Sequence, residues 1–365
     1  MKTKILSVFN RVDSGTIPLE NFSKIDYTRF DKYIVVLHQS QAEADVFISD
    51  VYPESHISTF SAFSHRVSSE SWLLLASVIS QVKPDIIHSH HTLASLQTSL
   101  LSVFFDFHFL ITVHNNYSHY SLIQRLCYGL SYLAADKLIC NSENTLRNLP
   151  FFVSERKKSI IYNGVDFSEV DAALEKVKKI DAGKVTIGTI CRMVSFKDIK
   201  TLIKGFDYLV NALYESNANL VLVGDGPERH SLESLVNKLN LDSLVSFTGF
   251  LPRKEAYQEL SNMDIFVVSS LWEGFCNAMV EAASAGKAII ATDIEPLPEV
   301  IGRNNALFFP VRDYRKLAYL LRDLLQNPFK QELLGDKAKS FVRSRYSIET
   351  SSQSYELIYK RLAIK

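Results

Sequence analysis

The sequence predicts an α/β fold with two parallel sheets, one in each of two domains. Three observations lead there. The chain's 365 residues exceed what one typical core organises and suit two. Short apolar runs of strand length alternate with longer stretches of helical pattern, the signature of strands joined by crossover helices. That alternation gives way to a charged segment near the middle and restarts beyond it.

Taken in order, the strands expected in the first half are Lys4–Phe9, Tyr33–Leu37, Val46–Ile48, Asp85–His88, Phe109–Val113, Lys137–Cys140 and Ser159–Tyr162. Glu70–Gln81 and Tyr117–Ala134 are expected as helices. The longest apolar stretch, Leu100 to Val113, is interrupted by Ser102, Asp106, His108 and Thr112. It falls short of the roughly 20 apolar residues of a membrane span, and reads as a helix end followed by a strand, with Leu100–Leu110 in the core. The hinge is expected between Asp166 and Gly183, where the basic run Lys176-Val177-Lys178-Lys179 reads as a solvated face. Beyond it come strands Lys184–Ile190, Leu220–Val223, Val245–Thr248, Ile265–Val268 and Ala288–Ala291, with helices such as Ile199–Tyr214 and Glu228–Leu239. Near the end, Tyr355, Ile358, Tyr359 and Leu362 recur at helical spacing. The domains are accordingly expected at 1–167 and 168–347, with the C-terminal helix 348–365 returning to the first.

Composition narrows the function. Apolar residues make up 47% of the chain, and Lys+Arg and Asp+Glu stand equal at 40 each. Mean hydropathy is +0.02, that of a soluble globular chain. The balanced charge provides no long-range attraction for nucleic acid. The four cysteines, Cys127, Cys140, Cys191 and Cys276, are scattered without a C-x-x-C, which suits a reduced, cytoplasmic compartment. No secretory signal is expected, because Met1-Lys2-Thr3-Lys4 runs straight into a strand.

The most informative segment is Trp272 to Glu281, which places Glu273 and Glu281 eight residues apart across a loop-to-helix junction. Asn277 is the expected N-cap of a short helix that stops at Gly286. A helix N-terminus attracts phosphate, and ionised carboxylates accept strong hydrogen bonds from hydroxyls. A ligand carrying both diphosphate and sugar hydroxyls fits this arrangement. Arg192 and Lys197 follow the strand ending at Ile190, where ligands of open α/β sheets bind. Two cations there would stabilise a departing diphosphate more in the transition state than before it. Gly224-Asp225-Gly226-Pro227 permits a tight turn and close backbone approach. It is neither a dinucleotide fingerprint nor a P-loop.

In the first half, His88, His90 and His114 lie at strand ends. His88 and His90 share a face by period 2, but Asp85 is the only carboxylate near in sequence, so a metal site is not expected. His114 is either a hydrogen-bonded structural histidine or a contact to the sugar or acceptor. Gly15, after the first strand, could admit backbone amides to the ligand or serve an ordinary turn. No Asp-x-Asp occurs to hold a divalent cation, so Arg192 and Lys197 would take that electrostatic role.

Several motifs in order resemble the retaining glycosyltransferases of family 4, which have the two-domain GT-B fold. They are His88-Ser89-His90, Thr112-Val113-His114, Ala135-Asp136-Lys137-Leu138-Ile139-Cys140-Asn141-Ser142, Asn163-Gly164-Val165-Asp166, Arg192 with Lys197-Asp198, Gly224-Asp225-Gly226-Pro227, Phe247-Thr248-Gly249, and Glu273 with Glu281. The resemblance implies two Rossmann-like, doubly wound domains facing a central cleft, the first on the acceptor side and the second holding the donor. By the same resemblance, Arg192 and Lys197 bind the donor's diphosphate, Glu273 meets the transferred sugar and Glu281 the ribose. Backbone groups of Gly274, Phe275, Cys276 and Asn277 line sugar and phosphate, Leu251 borders the base, and His114 lies by the reacting face. Gly15 stands alone where the family often has paired glycines, and Cys276 replaces its usual glycine or proline.

The implied activity is transfer of a sugar, with retention, from a nucleotide-diphosphate sugar (UDP favoured, GDP the alternative) to a glycan or lipid-linked acceptor in surface polysaccharide assembly. No metal and no cofactor is implied. The departing phosphate itself would take the acceptor's proton, without a side-chain nucleophile. Peripheral contact with the inner membrane face is a further expectation. Two other functions fit the same residues: a nucleotide-sugar epimerase, which needs no acceptor, and a non-catalytic nucleotide-sugar-binding subunit.

Overall fold

The computed structural model describes residues 2–12, 17–51, 57–61, 69–175 and 183–363. Gly15 and the basic run from Lys176 to Lys179 lie outside them. The chain divides into two compact units, Met1–Gly164 with Ile348–Lys365, and Val165–Ser347. The helix Phe167–Leu174, inside the segment expected as hinge, belongs to the second unit.

The first unit is a seven-stranded parallel sheet of β1 (Thr3–Phe9), β2 (Phe30–Val36), β3 (Ile57–Ser61), β4 (Ile86–His90), β5 (His108–Val113), β6 (Lys137–Cys140) and β7 (Lys158–Ile160). Its order is β3-β2-β1-β4-β5-β6-β7. Alternation along β1 shows why the strand runs are apolar throughout. Ile5 and Phe9 join one core, and Leu6 and Val8 join the core on the other face. A parallel sheet covered on both faces leaves no strand face for solvent.

The second unit holds β8 (Val185–Ile190), β9 (Ala218–Val223), β10 (Val245–Gly249), β11 (Ile265–Val268), β12 (Ala288–Thr292) and β13 (Leu307–Phe309). They form a six-stranded parallel sheet in the order β10-β9-β8-β11-β12-β13. Both sheets are doubly wound. The winding reverses between β1 and β4 in one and between β8 and β11 in the other.

Three readings need correction. Val46–Ile48 is not a strand but part of the helix Gln41–Val51, whose Ala44 and Ile48 are buried four residues apart. The third strand lies later, at Ile57–Ser61. The stretch expected as core from Leu100 to Leu110 is split: Phe109 and Leu110 are buried, whereas Leu100, Val103 and Phe104 face solvent at the end of the helix Thr92–Leu101. The N-cap of the helix Asn277–Ser284 is Cys276 rather than Asn277.

The last helix, Ile348–Ala363, is part of the first unit. Tyr355 and Tyr359 enter its core, and Ser351 and Ser352 donate to the carbonyls of Tyr162 and Asn21, each at 2.9 Å. Gly164 makes the close crossing possible: a Cβ there would lie 2.6 Å from Ile348 Cα.

Candidate active site

In a doubly wound sheet the loops leaving the two strands at the reversal diverge, and the space between them receives ligands. In the second unit those loops follow β8 and β11, and they are tied to each other. Leu271 N–H donates to Phe196 O at 2.7 Å, and Ser269 Oγ donates to Lys197 O at 2.9 Å. The rings of Phe196 and Trp272 stack with centroids 4.0 Å apart.

Onto this frame the structure brings Lys197 and Glu273. Lys197 Nζ donates to Glu273 Oε1 at 2.5 Å, and Ser270 Oγ donates to the same oxygen at 2.6 Å. Ser270 is itself held by Thr292 Oγ1, which donates to its carbonyl from the end of β12. Burial works to lower the Lys197 pKa, but the Glu273 carboxylate outweighs it and the net shift is upward. The result is a half-buried, fixed positive charge next to a buried negative one.

Arg192 is placed differently. It is exposed and makes no side-chain hydrogen bond or ion pair among the described residues. Its loop is anchored from below by the turn after β9. Met193 N–H donates to Asp225 O at 2.8 Å, and Gly224, at φ 124°, comes so close that a Cβ would lie 2.1 Å from Cys191 O. Only glycine permits that contact. The Gly-Asp-Gly turn therefore shapes the Arg192 loop.

From Gly274 to Asn277 the chain runs into the helix Asn277–Ser284. Phe275 is buried edge-on against Tyr346, ring centroids 5.3 Å apart, so its side chain anchors the loop. Cys276 has φ 73°, in the left-handed region that disfavours residues with a Cβ and forbids proline. Its thiol pKa is raised by burial, with the Glu273 charge adding to the effect.

Glu281 stands apart from the Lys197–Glu273 pair in its contacts. Its Oε1 accepts from Tyr257 Oη at 3.0 Å and lies 3.5 Å from an Arg253 guanidinium nitrogen. Arg253 Nε also donates to Tyr257 Oη at 2.7 Å. Both residues come from the helix Arg253–Asn262, which begins just after half-buried Leu251 beyond β10. Arg253, Tyr257 and Ser270 were not among the expected site residues. Arg253 and Tyr257 do stand four apart on one helix face, yet nothing local shows that this face meets a carboxylate 24 residues further on.

In the first unit the histidines gather at the other reversal, beside the ends of β1 and β4. His88 is fully engaged: its ring nitrogens lie 2.7 Å from Tyr359 Oη and 2.7 Å from Thr112 Oγ1. His90 stacks on Phe9 at 4.6 Å, and His114 lies 5.7 Å from the His90 ring and 5.9 Å from that of His91. His114 Nε2 is buried with no hydrogen-bond partner among the described residues. Burial pushes His88 and His114 down to about 3 and His90 well below its usual value, so all three are neutral. Among the described residues no group of three or more His, Cys, Asp or Glu is arranged to hold a metal ion.

Two doubly wound parallel-sheet units, the second with a charged site at its reversal, are the architecture of the GT-B fold. Comparison with known proteins gives the family. Residues 171–341 match the family described as Glycosyl transferases group 1, and residues 26–169 match Glycosyltransferase Family 4. The chain belongs to the family 4 glycosyltransferases.

Among its relatives is the O-antigen biosynthesis glycosyltransferase WclY of Escherichia coli, 27% identical over 295 residues, covering 76% of this chain and 79% of the relative. Another is the N-acetylgalactosamine-N,N'-diacetylbacillosaminyl-diphospho-undecaprenol 4-alpha-N-acetylgalactosaminyltransferase of Campylobacter jejuni, 26% identical, covering 63% of this chain and 61% of the relative. The chain thus spans less than two thirds of that second relative. Among solved structures, Anabaena Alr3699/HepE in complex with UDP superposes with a TM-score of 0.82 at 18% identity, covering 98% of this chain and 100% of that one. Sucrose-phosphate synthase of Thermosynechococcus elongatus gives 0.81 at 18% identity, covering 99% of each chain. At such identities these structures speak for the fold alone.

Proposed function

We propose that the protein is a retaining glycosyltransferase that moves a sugar from a nucleotide-diphosphate sugar, UDP-linked in preference to GDP-linked, to a lipid-linked or glycan acceptor in surface polysaccharide assembly. The observation that carries this reading is the Lys197–Glu273 contact across the β8 and β11 loops, with Arg192, on the same loop as Lys197, unpaired among the described residues. A cation already fixed and a second one open to solvent suit a diphosphate that gains charge as its bond to the sugar breaks. Glu273 would accept hydroxyls of the transferred sugar, and Glu281, steadied by Tyr257 and Arg253, would take the ribose.

The relatives support the same reading. One is named for O-antigen biosynthesis, and one for an alpha-linked transfer onto a diphospho-undecaprenol acceptor. UDP is the nucleotide in the Anabaena complex. In the first unit His114, neutral and with Nε2 unpartnered, would contact the sugar or acceptor. The test is incubation with a panel of UDP- and GDP-sugars and lipid-linked acceptors. Transfer is expected, and it should fall in Arg192→Ala and Glu281→Ala. Turnover of the donor to a new sugar without any acceptor would instead mark an epimerase. Donor binding without turnover would mark a non-catalytic subunit.

A further inference from the structure

The segment from Ala135 to Ser142 stands out in the sequence, yet no role proposed above uses it. Its place in the first unit shows what it holds. β6 pairs with β5 in parallel, Thr112 beside Ile139 and Val113 beside Cys140, so Asn141 comes level with His114 just past the strand ends. At the other end Asp136 grips the start of β5. Its N–H donates to Phe109 O at 2.7 Å, and its Oδ2 accepts from Phe109 N–H at 2.8 Å. A slip of one residue would break both bonds.

Past the strands the grip continues through side chains. Asn141 Nδ2 donates to His114 O at 3.1 Å. The amide is kept from turning over, because Asn141 Oδ1 accepts from Thr145 Oγ1 at 3.0 Å, and Thr145 Oγ1 accepts in turn from Ser142 Oγ at 2.9 Å. Ser142 Oγ also caps the helix Glu143–Arg147 by accepting from Thr145 N–H at 3.0 Å. Asn141, Ser142 and Thr145 are all buried. From the same helix Asn144 Nδ2 donates to Asn116 Oδ1 at 3.3 Å, so the loop is held two residues further on as well. The His114 ring has less to hold it. Its Nε2 is buried with no hydrogen-bond partner among the described residues, and the His90 and His91 rings lie 5.7 and 5.9 Å away. The direction of the imidazole therefore depends on how its backbone is held.

We propose that Asn141 is a positioning residue: through the chain Ser142–Thr145–Asn141 it fixes the backbone at His114 and so aims the imidazole at the reacting sugar or its acceptor. The inference rests on the reading of His114 given above, and it supplies a use for the Ala135–Ser142 segment. A bond of this kind matters through the side chain it aims, since small misplacements of a reacting group cost large factors in rate.

The test is steady-state sugar transfer by Asn141→Asp, His114→Ala and the double variant, with donor affinity measured by calorimetry. Asn141→Asp keeps the size of the side chain and removes the donor to His114 O. Its kcat should fall about ten- to a hundredfold. Donor affinity should not change, because the proposed donor site lies in the second unit. Added to His114→Ala, Asn141→Asp should have no further effect, since it acts through the imidazole. Thr145→Val frees the amide and should lower kcat in the same direction, whereas Thr145→Ser, which keeps the hydroxyl, should not. Wild-type kcat in Asn141→Asp, or a loss as large without His114 as with it, would overturn the proposal. If His114→Ala alone retains full transfer, or if no transfer is found, the reading of His114 is what fails. The NMR resonances of the His114 ring then decide the clasp: displacement in Asn141→Asp supports the positioning role, and unmoved resonances overturn it.

Discussion

Lys197 and Glu273 come from loops following strands three apart in the chain, yet their side chains meet at 2.5 Å because β8 and β11 are adjacent in the sheet. Both are largely buried, with side-chain exposures of 19% and 8%. Lys197→Met leaves a buried carboxylate with only Ser270, and should cost about 3 kcal/mol in chemical denaturation. Adding Glu273→Gln should recover part of that loss, because the pair is coupled. Sugar transfer should stay roughly a hundredfold or more below wild type in both variants. A double variant that loses the sum of what Lys197→Met and Glu273→Gln each lose alone would show that the two side chains are energetically independent.

Arg192 separates function from stability. With no protein partner among the described residues, Arg192→Ala should change unfolding free energy by no more than about 0.5 kcal/mol. Donor affinity by calorimetry should nonetheless fall at least about tenfold if the guanidinium holds a phosphate. Unchanged affinity would remove it from the donor site.

The backbone at Cys276 predicts an unusual ranking. At φ 73° a Cβ is strained by about 1–2 kcal/mol, so Cys276→Gly should be more stable than Cys276→Ala by about 1 kcal/mol. Thermal denaturation of the pair decides this. Ala equal to or above Gly would mean that the left-handed conformation is not held in solution.

The buried histidines set an acid limit. His88 and His114 are pushed by burial from the usual 6.5 down to about 3, and His90 is pushed down by the same cause. Part of His114 stays accessible, but its Nε2 is buried. Below 6.5 the unfolded chain takes up protons that the folded chain refuses, so stability must fall as the medium becomes more acidic. Their contribution is complete above about pH 6.5 and is lost progressively toward pH 3, at up to about 1.4 kcal/mol per pH unit for each histidine. Denaturant titrations at pH 7.5 and 5.5 should show the loss, and their NMR ring resonances should stay at neutral positions down to pH 5. A histidine among them that protonates near 6.5 would refute its burial.

Much of the fold was legible because a parallel sheet with both faces covered writes each strand as an apolar run. The runs ending at Phe9, Val113, Cys140 and Ile190 could be read directly. Where a helix borrows the same residues the reading fails. Val46, Phe47 and Ile48 look like a strand, and only the burial of Ala44 with Ile48 reveals the helical face. The strand Leu307–Phe309 is too short to announce itself. In the site, Glu273, Glu281, Arg192 and Lys197 could be singled out because charged side chains at strand ends have few structural uses. Their supporting contacts could not. Ser270 looks like any loop serine, and the helix carrying Arg253 and Tyr257 gives no hint of which carboxylate it faces. The helix Leu122–Ala134 turns its leucines outward, and this was invisible for the opposite reason, since helical apolar spacing reads the same whether the stripe points in or out.

Val165 and Ser347 open and close the second unit and pair with each other in an isolated parallel bridge, with Val165 N–H donating to Tyr346 O at 2.9 Å. The 165–347 stretch is therefore a cassette with adjoining ends. Exchanging it for the matching stretch of a relative means rebuilding one short seam, not two distant ones. Recombination could replace the half proposed to choose the sugar while leaving the first unit untouched.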